Sequence, residues 1–381
     1  MKYNMVKLKE LCTVNQGLQI PISKRYKEPG ENRYFYITVQ FLKDNGENYY
    51  IENPPKSVTC TEDEILVVRT GNTGQVITGV AGCFHNNFFK VTPNEKIYFK
   101  YLYYALNNKK MHDAMLNAAS GTTIPDLKHS SFYDLEIPLP EISIQKKIAK
   151  ILDNICDKLK LNNEINNNLL ELSIGKIQNT SFDNYENLSD LSEIISKGTT
   201  PTTGDMKQFE NRNIKFIKVR DFTGYYINKK ELEFIPKEIH EGKLKRSILK
   251  ENDLLISIAG TLGKVAYVDS ELDNSNTNQA VAFIRLKDIL NMGYLYFYLQ
   301  TKKVQMEINE KQVHAVQPNF SLRMLGQIEV PILMDDEKKK YNDILNVIKN
   351  NVHQNEKLEQ LRDTLLPKLM NGKIDLDNIE I

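Results

Sequence analysis

Two stretches of the chain carry apolar residues at steps of three and four, the spacing of one face of a helix. In residues 141–179 these positions are Ile148, Leu152, Ile155, Leu159, Leu169 and Leu172. In residues 335–371 they are Tyr341, Leu345, Ile348 and Val352, after which the stripe shifts to Leu358, Leu361 and Leu365. A long helix with one apolar stripe needs a partner. We therefore predict that the two helices pair as an antiparallel coiled coil.

The rest of the chain is typical of short strands separated by turns. Runs of β-branched and aromatic residues occur at 34–39, 65–68, 214–219 and 254–258, and turn residues bound each run. Polar loops at 15–21 and 197–204 precede the strands, and Gly-rich turns at 71–74 and 260–263 follow them. The Tyr-rich stretches at 101–110 and 294–303 have helical spacing, and we expect their rings in the core rather than as platforms for stacked bases.

The segments occur twice in the same order. Tyr101 and Tyr294 begin near-identical stretches at an offset of 193 residues (294 minus 101). Gly71 aligns with Gly260 at an offset of 189, and Pro21 with Pro201 at 180. Asn162 and Asn166 occupy a gap in the first helical stripe, and Asn355 falls where Asn162 does, again at 193. A duplicated unit predicts two similar surfaces on one chain, related by a pseudo-twofold axis.

The predicted architecture is α+β: two β-rich domains and two long helices. The predicted bounds are 1–140 for the first domain, 141–180 for the central helix, 181–334 for the second domain, and 335–381 for the C-terminal helix and tail. At 381 residues the chain is long enough for two or three domains, each with its own core.

The net charge of the whole chain argues weakly against a nucleic-acid partner, whereas one segment is locally basic. The net charge is only +1, but residues 212–250 hold eleven Lys and Arg against five Asp and Glu. The four cysteines, at 12, 60, 83 and 156, show no CxxC pattern, which favours a reducing compartment. No secretory signal or apolar run of about 18 residues is visible, so we expect a cytoplasmic location.

Two segments resemble the start of a catalytic or phosphate-binding motif, but neither motif is complete. Asn53-Pro54-Pro55 resembles the core of an amino-methyltransferase, but Lys56 stands where an aromatic residue is needed. GTLGK at 260–264 has Ile258 in place of the first glycine of a phosphate loop, and no Ser or Thr follows the lysine. The six histidines show no metal-ligand spacing. The sequence thus favours a binding protein over an enzyme.

Several segments together resemble the specificity subunits of type I restriction–modification systems. The loop GTTIPDL at 121–127 and the run IPLPEISIQKKIAKILD at 137–153 are similar to the end of a target-recognition domain entering its spacer helix. The second copy shows KGTTPTTG at 197–204 and LISIAGTLGKVAYV at 255–268, and LLPKLMNGKIDL at 365–376 is similar to the family's tail. Ile144-Gln145 and Asp336-Glu337 depart from the Glu-Gln that the family usually shows there.

The resemblance implies that each domain reads one half of a bipartite target in double-stranded DNA, while the helices set the spacing. Two methyltransferase subunits would dock on the helices, and a restriction subunit would join them. No cofactor is expected on this chain: S-adenosylmethionine, ATP and Mg²⁺ would be bound by the partners. Leu152, Ile155, Leu159, Leu345, Ile348 and Val352 are the predicted helix interface.

Polar and basic loop residues are the candidates for DNA contact, because such side chains bind base edges and phosphates. In the first domain they are Lys24, Arg25, Arg69, Asn72, Gln75, Thr122 and Thr123. In the second they are Thr199, Thr200, Thr202, Lys218, Arg220, Asn278, Gln279, His314 and Gln317. Two alternatives stay open: the recognition subunit of another restriction or methylation system, and a protein-binding scaffold with two modules.

Overall fold

The structure, a computed structural model, describes residues 3–42, 47–120, 125–313 and 320–376, with the side chains of 311–313 left out. It divides into two compact units. Unit 1 consists of Met1–Leu159 and Lys357–Ile381, and unit 2 of Lys160–Glu356. Each unit combines one β-rich domain with parts of both long helices.

Unit 1 is built on ten strands in its described residues. They are β1 (Asn4–Lys7), β2 (Cys12–Gln16), β3 (Arg33–Ile37), β4 (Tyr50–Glu52), β5 (Thr59–Cys60), β6 (Ile65–Val68), β7 (Val76–Ile77), β8 (Gly82–Phe84), β9 (Phe88–Pro93) and β10 (Glu136–Leu139). One sheet has the order β2-β9-β6-β7 and a second the order β4-β3-β8-β5, while β1 pairs with β10. Helices α1 (Phe99–Leu106), α2 (Lys109–Ala118) and α3 (His129–Tyr133) pack with these strands.

The helix α4 (Ile142–Gln178) continues from unit 1 into unit 2. The strands of unit 2 are β11 (Tyr185–Asn187), β12 (Ser192–Lys197), β13 (Arg212–Ile217), β14 (Glu233–Pro236), β15 (Leu254–Ser257), β16 (Val265–Tyr267), β17 (Asn276–Thr277), β18 (Val281–Leu286) and β19 (Glu329–Pro331). Its helices are α5 (Leu188–Leu191), α6 (Thr203–Lys207), α7 (Lys237–Glu241), α8 (Met292–Tyr298), α9 (Lys302–Val313) and α10 (Leu322–Gly326). The helix α11 (Asp335–Met370) begins in unit 2 and ends in unit 1. The sheets have the orders β12-β18-β15-β16 and β14-β13-β17, and β11 pairs with β19.

The predicted duplication is confirmed strand by strand. Strands β6 and β15 correspond at the offset of 189, and β9 and β18 at 193. Both copies also contain the same unusual parallel pair, Ile37 opposite Phe84 in β3–β8 and Ile217 opposite Thr277 in β13–β17. The α+β fold class is therefore correct.

The tyrosine-rich helices lie in the cores, as predicted. Tyr101 is buried in unit 1, and Tyr294 and Tyr296 are buried in unit 2. Two of these hydroxyls donate hydrogen bonds to backbone carbonyls. Tyr101 Oη donates to Pro138 O at 2.7 Å, and Tyr296 Oη donates to Tyr225 O at 2.8 Å. Among the described helices, none is long and apolar enough to cross a membrane.

The two long helices pack against each other inside both units. In unit 1, Leu152 shares a core cluster with Leu366 and Leu369. In unit 2, Asn162 bonds to Asn355, whereas Asn166, one turn further along α4, accepts from Asn351 Nδ2 at 2.8 Å. Residue numbers rise on one helix as they fall on the other, which confirms the antiparallel pairing.

Candidate nucleic-acid interface

In unit 1 the ends of four strands meet at one edge. Gln16 at the end of β2 pairs with Phe89, and Val68 at the end of β6 pairs with Phe88. Ile37 at the end of β3 pairs with Phe84. The loops that follow these ends, 17–25, 38–42, 69–75 and 85–87, form what we call the first strand-end face. A Cβ on Gly17 would lie 2.3 Å from the carbonyl oxygens of Phe84 and His85, so only glycine permits this approach.

Unit 2 contains the equivalent arrangement. Lys197 at the end of β12 pairs with Ala282, and Ser257 at the end of β15 pairs with Val281. Loops 198–204, 218–221, 258–264 and 278–280 form the second strand-end face. Gly198 corresponds to Gly17 in its role, because a Cβ there would lie 1.9 Å from Thr277 O. The two faces are thus built in the same way from the two copies.

Arg25 and Lys24 lie in the first of these loops with different roles. Arg25 donates from Nε and Nη2 to Ile20 O at 2.9 and 2.7 Å. Its guanidinium also lies over the rings of Tyr36 and Tyr49. Arg25 therefore shapes the loop, while the side chain of Lys24 is exposed and makes no hydrogen bond or ion pair in the part of the chain described.

Arg69 is engaged by a carboxylate of the neighbouring loop. Its Nε and Nη2 donate to Oδ1 and Oδ2 of Asp126 at 3.0 and 2.7 Å, and Thr70 Oγ1 donates to the same carboxylate at 2.7 Å. The Arg69 guanidinium lowers the pKa of Asp126. Thr73 Oγ1 adds a bond to Pro125 O at 2.7 Å. This clamp fixes residues 125–127 to the turn; the predicted contacts Thr122 and Thr123 lie outside the described residues.

The turn itself presents two amides. Asn72 is exposed, and its Nδ2 donates to Oε1 of the half-buried Gln75 at 3.3 Å. A cavity of about 670 Å³ opens beside the turn and reaches Lys109 and His112 of α2. Both amides therefore have room around them for an incoming polar group.

On the second face, Lys218 and Arg220 share one acid. Lys218 Nζ lies 2.6 Å and Arg220 Nη2 2.7 Å from Oε1 of Glu233. Their hydrogen bonds, that of Lys218 foremost, lower the pKa of Glu233. Arg220 Nε also lies 3.6 Å from Oδ1 of the buried Asp221, and the Arg220 side chain is 60% exposed.

The remaining candidates on this face differ in accessibility. Thr199, Thr200 and Gln279 are exposed, and Asn278 is half-buried with Oδ1 accepting from Ala280 N at 3.2 Å. Thr202 has a local role, since its hydroxyl and backbone N–H bond to Asp205 at the start of α6. With Lys243 as the main cause, the pKa of Asp205 falls to about 2. His314 and Gln317 lie outside the described residues.

The predicted helix interface is turned inward. Leu152, Ile155, Leu345, Ile348 and Val352 are buried and Leu159 is half-buried. The predicted stripes are wrong at two positions, because Leu172 is 71% exposed and Leu361 is 46% exposed. The buried face keeps the regular spacing instead, through Ser173 and Ile177 on α4 and through Leu366 and Leu369 on α11.

The asparagines that stand in the gap of the predicted stripe form a hydrogen-bonded polar layer within the helix pair, which the sequence did not predict. Asn162 and Asn166 are fully buried, and Asn163 Oδ1 accepts both from Asn355 Nδ2 at 2.8 Å and from Tyr225 Oη at 2.9 Å. The signal was available, because these asparagines stand at the regular helical spacing of the stripe. Tyr225 could not be assigned, since it reaches α4 from a loop 62 residues away.

One cluster has the composition of a metal site. Ligand atoms of Glu271, His353 and Glu356 lie within 4.8 Å of one another. However, the ammonium of Lys229 lies 3.0 Å from Glu271 Oε2, 2.9 Å from Glu356 Oε1 and 2.9 Å from Asp269 Oδ2. The lysine already supplies the cation that these carboxylates would otherwise attract, so the cluster gives no support for a metal.

Two copies of one polar strand-end face define the class of protein: a recognition protein with two similar binding surfaces. A family profile described as the type I restriction modification DNA specificity domain matches residues 1–171 and 183–362. The chain therefore belongs to the specificity subunits of type I restriction–modification systems, which recognise DNA targets and are not themselves catalytic.

Individual relatives agree in sequence and in fold. The chain is 23% identical over 377 residues to the type I restriction enzyme MjaVIII specificity subunit of Methanocaldococcus jannaschii, covering 92% of this chain and 88% of that one. It is 25% identical over 336 residues to the EcoBI specificity subunit of Escherichia coli, covering 78% and 69%. The crystal structure of a type I S subunit from M. genitalium matches with a TM-score of 0.56 at 18% identity, over 97% and 96% of the chains.

Proposed function

We propose that this chain directs a type I restriction–modification complex to a bipartite DNA target, with each strand-end face reading one half. The observation that carries the proposal is the duplication of the face itself. Both copies place polar and basic loops at the same strand ends, and both require a glycine at the same close approach. Such loops suit hydrogen bonding to base edges together with phosphate contacts.

We further propose that the paired helices set the distance between the two half-sites. The intrachain seam and its asparagine layer hold the helices in one register, which a measuring element requires. A fixed register keeps the offset of one helix against the other the same in every molecule. The number of unread base pairs would then follow from the helices and not from either face.

Two methyltransferase subunits are proposed to dock on the outer surface of the helices. Because Leu152 and the other seam residues are buried within the chain, they are not accessible to a partner. Exposed apolar side chains remain on the helices at Leu161, Leu172, Val347 and Leu361. S-adenosylmethionine would belong to these partners, and ATP and Mg²⁺ to a restriction subunit. The cytoplasmic location expected from the sequence stays a prediction.

The experiment is a domain exchange read by methylome sequencing. Cells would carry the chain with its cognate methyltransferase, and the methylated motif would be mapped. Replacing residues 1–140 by those of a relative is expected to change one half of the motif and leave the other half and the spacing as they were. A change in both halves at once would show that the two faces do not read independently. A host without any new methylated motif would contradict the DNA-targeting role.

A further inference from the structure

A short basic turn lies beside the second strand-end face. Residues 245–247 form one 3₁₀ turn in which Lys245 and Arg246 are exposed, while Leu244 and Ser247 on either side are buried. Neither cation makes an ion pair or a side-chain hydrogen bond in the part of the chain that the structure describes. Their charge is therefore available to a partner from outside the chain.

The turn is held rigidly by buried hydrogen bonds. Asn276 Nδ2 donates to Leu244 O at 3.2 Å and to Ser247 O at 3.0 Å, and its Oδ1 contacts the ring of the buried His240. Leu249 N donates to Ser275 O at 2.9 Å. Because the backbone of the turn is already fixed, binding of a ligand would order only the two exposed side chains.

The same asparagine fixes the turn close to the recognition loops. Asn276 begins β17, and Asn278, a predicted base contact, follows two residues later on the second strand-end face. Two residues of extended strand span about 7 Å. Asn276, whose side chain holds the turn, therefore lies about 7 Å along the strand from Asn278, so the turn is tied to the border of the face.

Several other cations of the basic segment 212–250 form ion pairs with carboxylates of the protein. Lys229 pairs with three carboxylates, Lys243 with Asp205, and Lys237 with Glu241. Lys245 and Arg246 thus account for part of the local excess of positive charge that remains uncompensated. The sequence shows the excess of positive charge in this segment, but it does not show which side chains remain unpaired.

The first copy has the equivalent turn with less charge. Residues 56–58 form a 3₁₀ turn at the offset of 189, so Lys56 corresponds to Lys245 and Ser57 to Arg246. The second copy therefore carries one more cation at this turn than the first copy does.

We propose that Lys245 and Arg246 bind backbone phosphates of the DNA that flanks the half-site read by the second face. This inference rests on the proposed function and adds to it a contact that carries no sequence information. Ammonium and guanidinium groups are suited to phosphate oxygens, and such contacts position a protein on the duplex.

The test compares the salt dependence of DNA binding. The full chain, assembled with its cognate methyltransferase, is titrated with a duplex carrying the mapped target and with a duplex lacking it, from 50 to 200 mM salt. K245Q/R246Q is expected to lower the slope of log K against log salt by about 1.8, that is about 0.9 per phosphate contact. The affinity ratio of wild type to variant then shrinks about 12-fold across this salt range.

Three controls make the result specific. K339Q/K340Q removes two exposed charges from α11 of the same unit and should leave the slope unchanged. The charge-conserving variant K245R/R246K should restore it. The preference for target over non-target duplex should be the same in all variants, and unchanged thermal midpoints and circular dichroism spectra would show that they fold.

A slope equal to that of the wild type in K245Q/R246Q would overturn the proposal. Weaker assembly with the methyltransferase at an unchanged slope would also overturn it and assign the turn to a protein contact. A loss of target preference would contradict a purely positioning role. Failure of the proposed function is distinguishable, because wild-type protein would then show no target preference at any salt concentration.

Discussion

Asn162 donates a hydrogen bond from Nδ2 to Oδ1 of Asn355 at 2.8 Å, and the two residues occupy the same position in the two copies of the repeat. A residue of one copy thus bonds to its own equivalent in the other. Asn162 also donates to Gln354 Oε1 at 2.8 Å, and it is fully buried. Buried asparagines between paired helices fix their register, because any other alignment leaves the amides without partners.

Replacing Asn162 with Asp should reveal this role through its pH dependence. The carboxylate keeps the shape of the amide but loses its donor, so it would face two acceptor oxygens while buried. We expect a loss of about 3 kcal/mol in unfolding free energy at pH 7.5. Burial raises the pKa of such a carboxyl, and its protonated form can donate again, so the deficit relative to wild type should shrink towards pH 5. Urea unfolding at both pH values measures it.

Asn168 offers a matched control on the same helix, because its side chain is exposed. Asn168→Asp should change the unfolding free energy by no more than about 0.5 kcal/mol at either pH. A deficit for Asn162→Asp that is small, or that does not depend on pH, would contradict a buried and hydrogen-bonded amide at this position.

Much of the fold could be predicted because it depends on local patterns repeated twice. The offsets between the copies located the strands and turns of both units, and helical spacing located α4 and α11. The errors arose where side-chain type was given more weight than spacing. Leu172 was assigned to the seam because it is a leucine, yet Ser173 holds the buried position.

The candidate site was predictable only at the level of loops. The sequence identifies Arg69 as a cation beside a recognition turn, but its role depends on Asp126, 57 residues away. The same holds for Lys218 and Arg220, which share Glu233 through strand pairing. Which cations remain free for DNA follows from tertiary contacts, which no local pattern contains.

Substitutions at two leucines of α4 should distinguish an effect on folding from an effect on partner docking. Leu152 is buried against α11, so Leu152→Asp should lower the unfolding free energy by several kcal/mol, about 3–5. Leu172 is exposed, so Leu172→Asp should leave stability within about 0.5 kcal/mol. We expect Leu172→Asp nevertheless to weaken co-purification with the methyltransferase. Thermal unfolding and pull-down of both variants test this; equal destabilisation by both would show that Leu172 is covered by the chain itself.

The clamp between Arg69 and Asp126 should control one half-site only. Asp126→Asn removes the charge of the pair and weakens the attachment of residues 125–127 to the turn at 69–75. We expect discrimination at the first half-site to fall by about 1–3 kcal/mol per base pair, while the second half-site is unchanged. Binding to duplexes with one altered half-site at a time measures this. Equal loss at both half-sites would contradict the assignment.

The pKa of Asp126 predicts where the wild-type clamp fails. Because Arg69 holds this pKa below its usual value of 3.8, the clamp contributes its full stability above that value. The contribution is lost only as the pH falls through the lowered pKa. Recognition of the first half-site should therefore not change between pH 6 and 8, and a change in that range confined to the first half-site would require another titrating group.

Lengthening both helices together should lengthen the spacing between the half-sites. Four residues inserted between Leu159 and Lys160, matched by four between Lys357 and Leu358, add about 6 Å to each helix and turn it by about 40°. These points face each other across the antiparallel pair, so the asparagine layer and the apolar contacts on either side keep their register. About 6 Å corresponds to nearly two base pairs at 3.4 Å each. We expect a methylated motif with both halves intact and a gap longer by one or two base pairs.

Insertion into α4 alone should instead shift one helix against the other, unpair Leu152 from its cluster and reduce assembly. A matched insertion that alters a half-site while leaving the gap unchanged would place the helices within the readout and contradict their role in spacing.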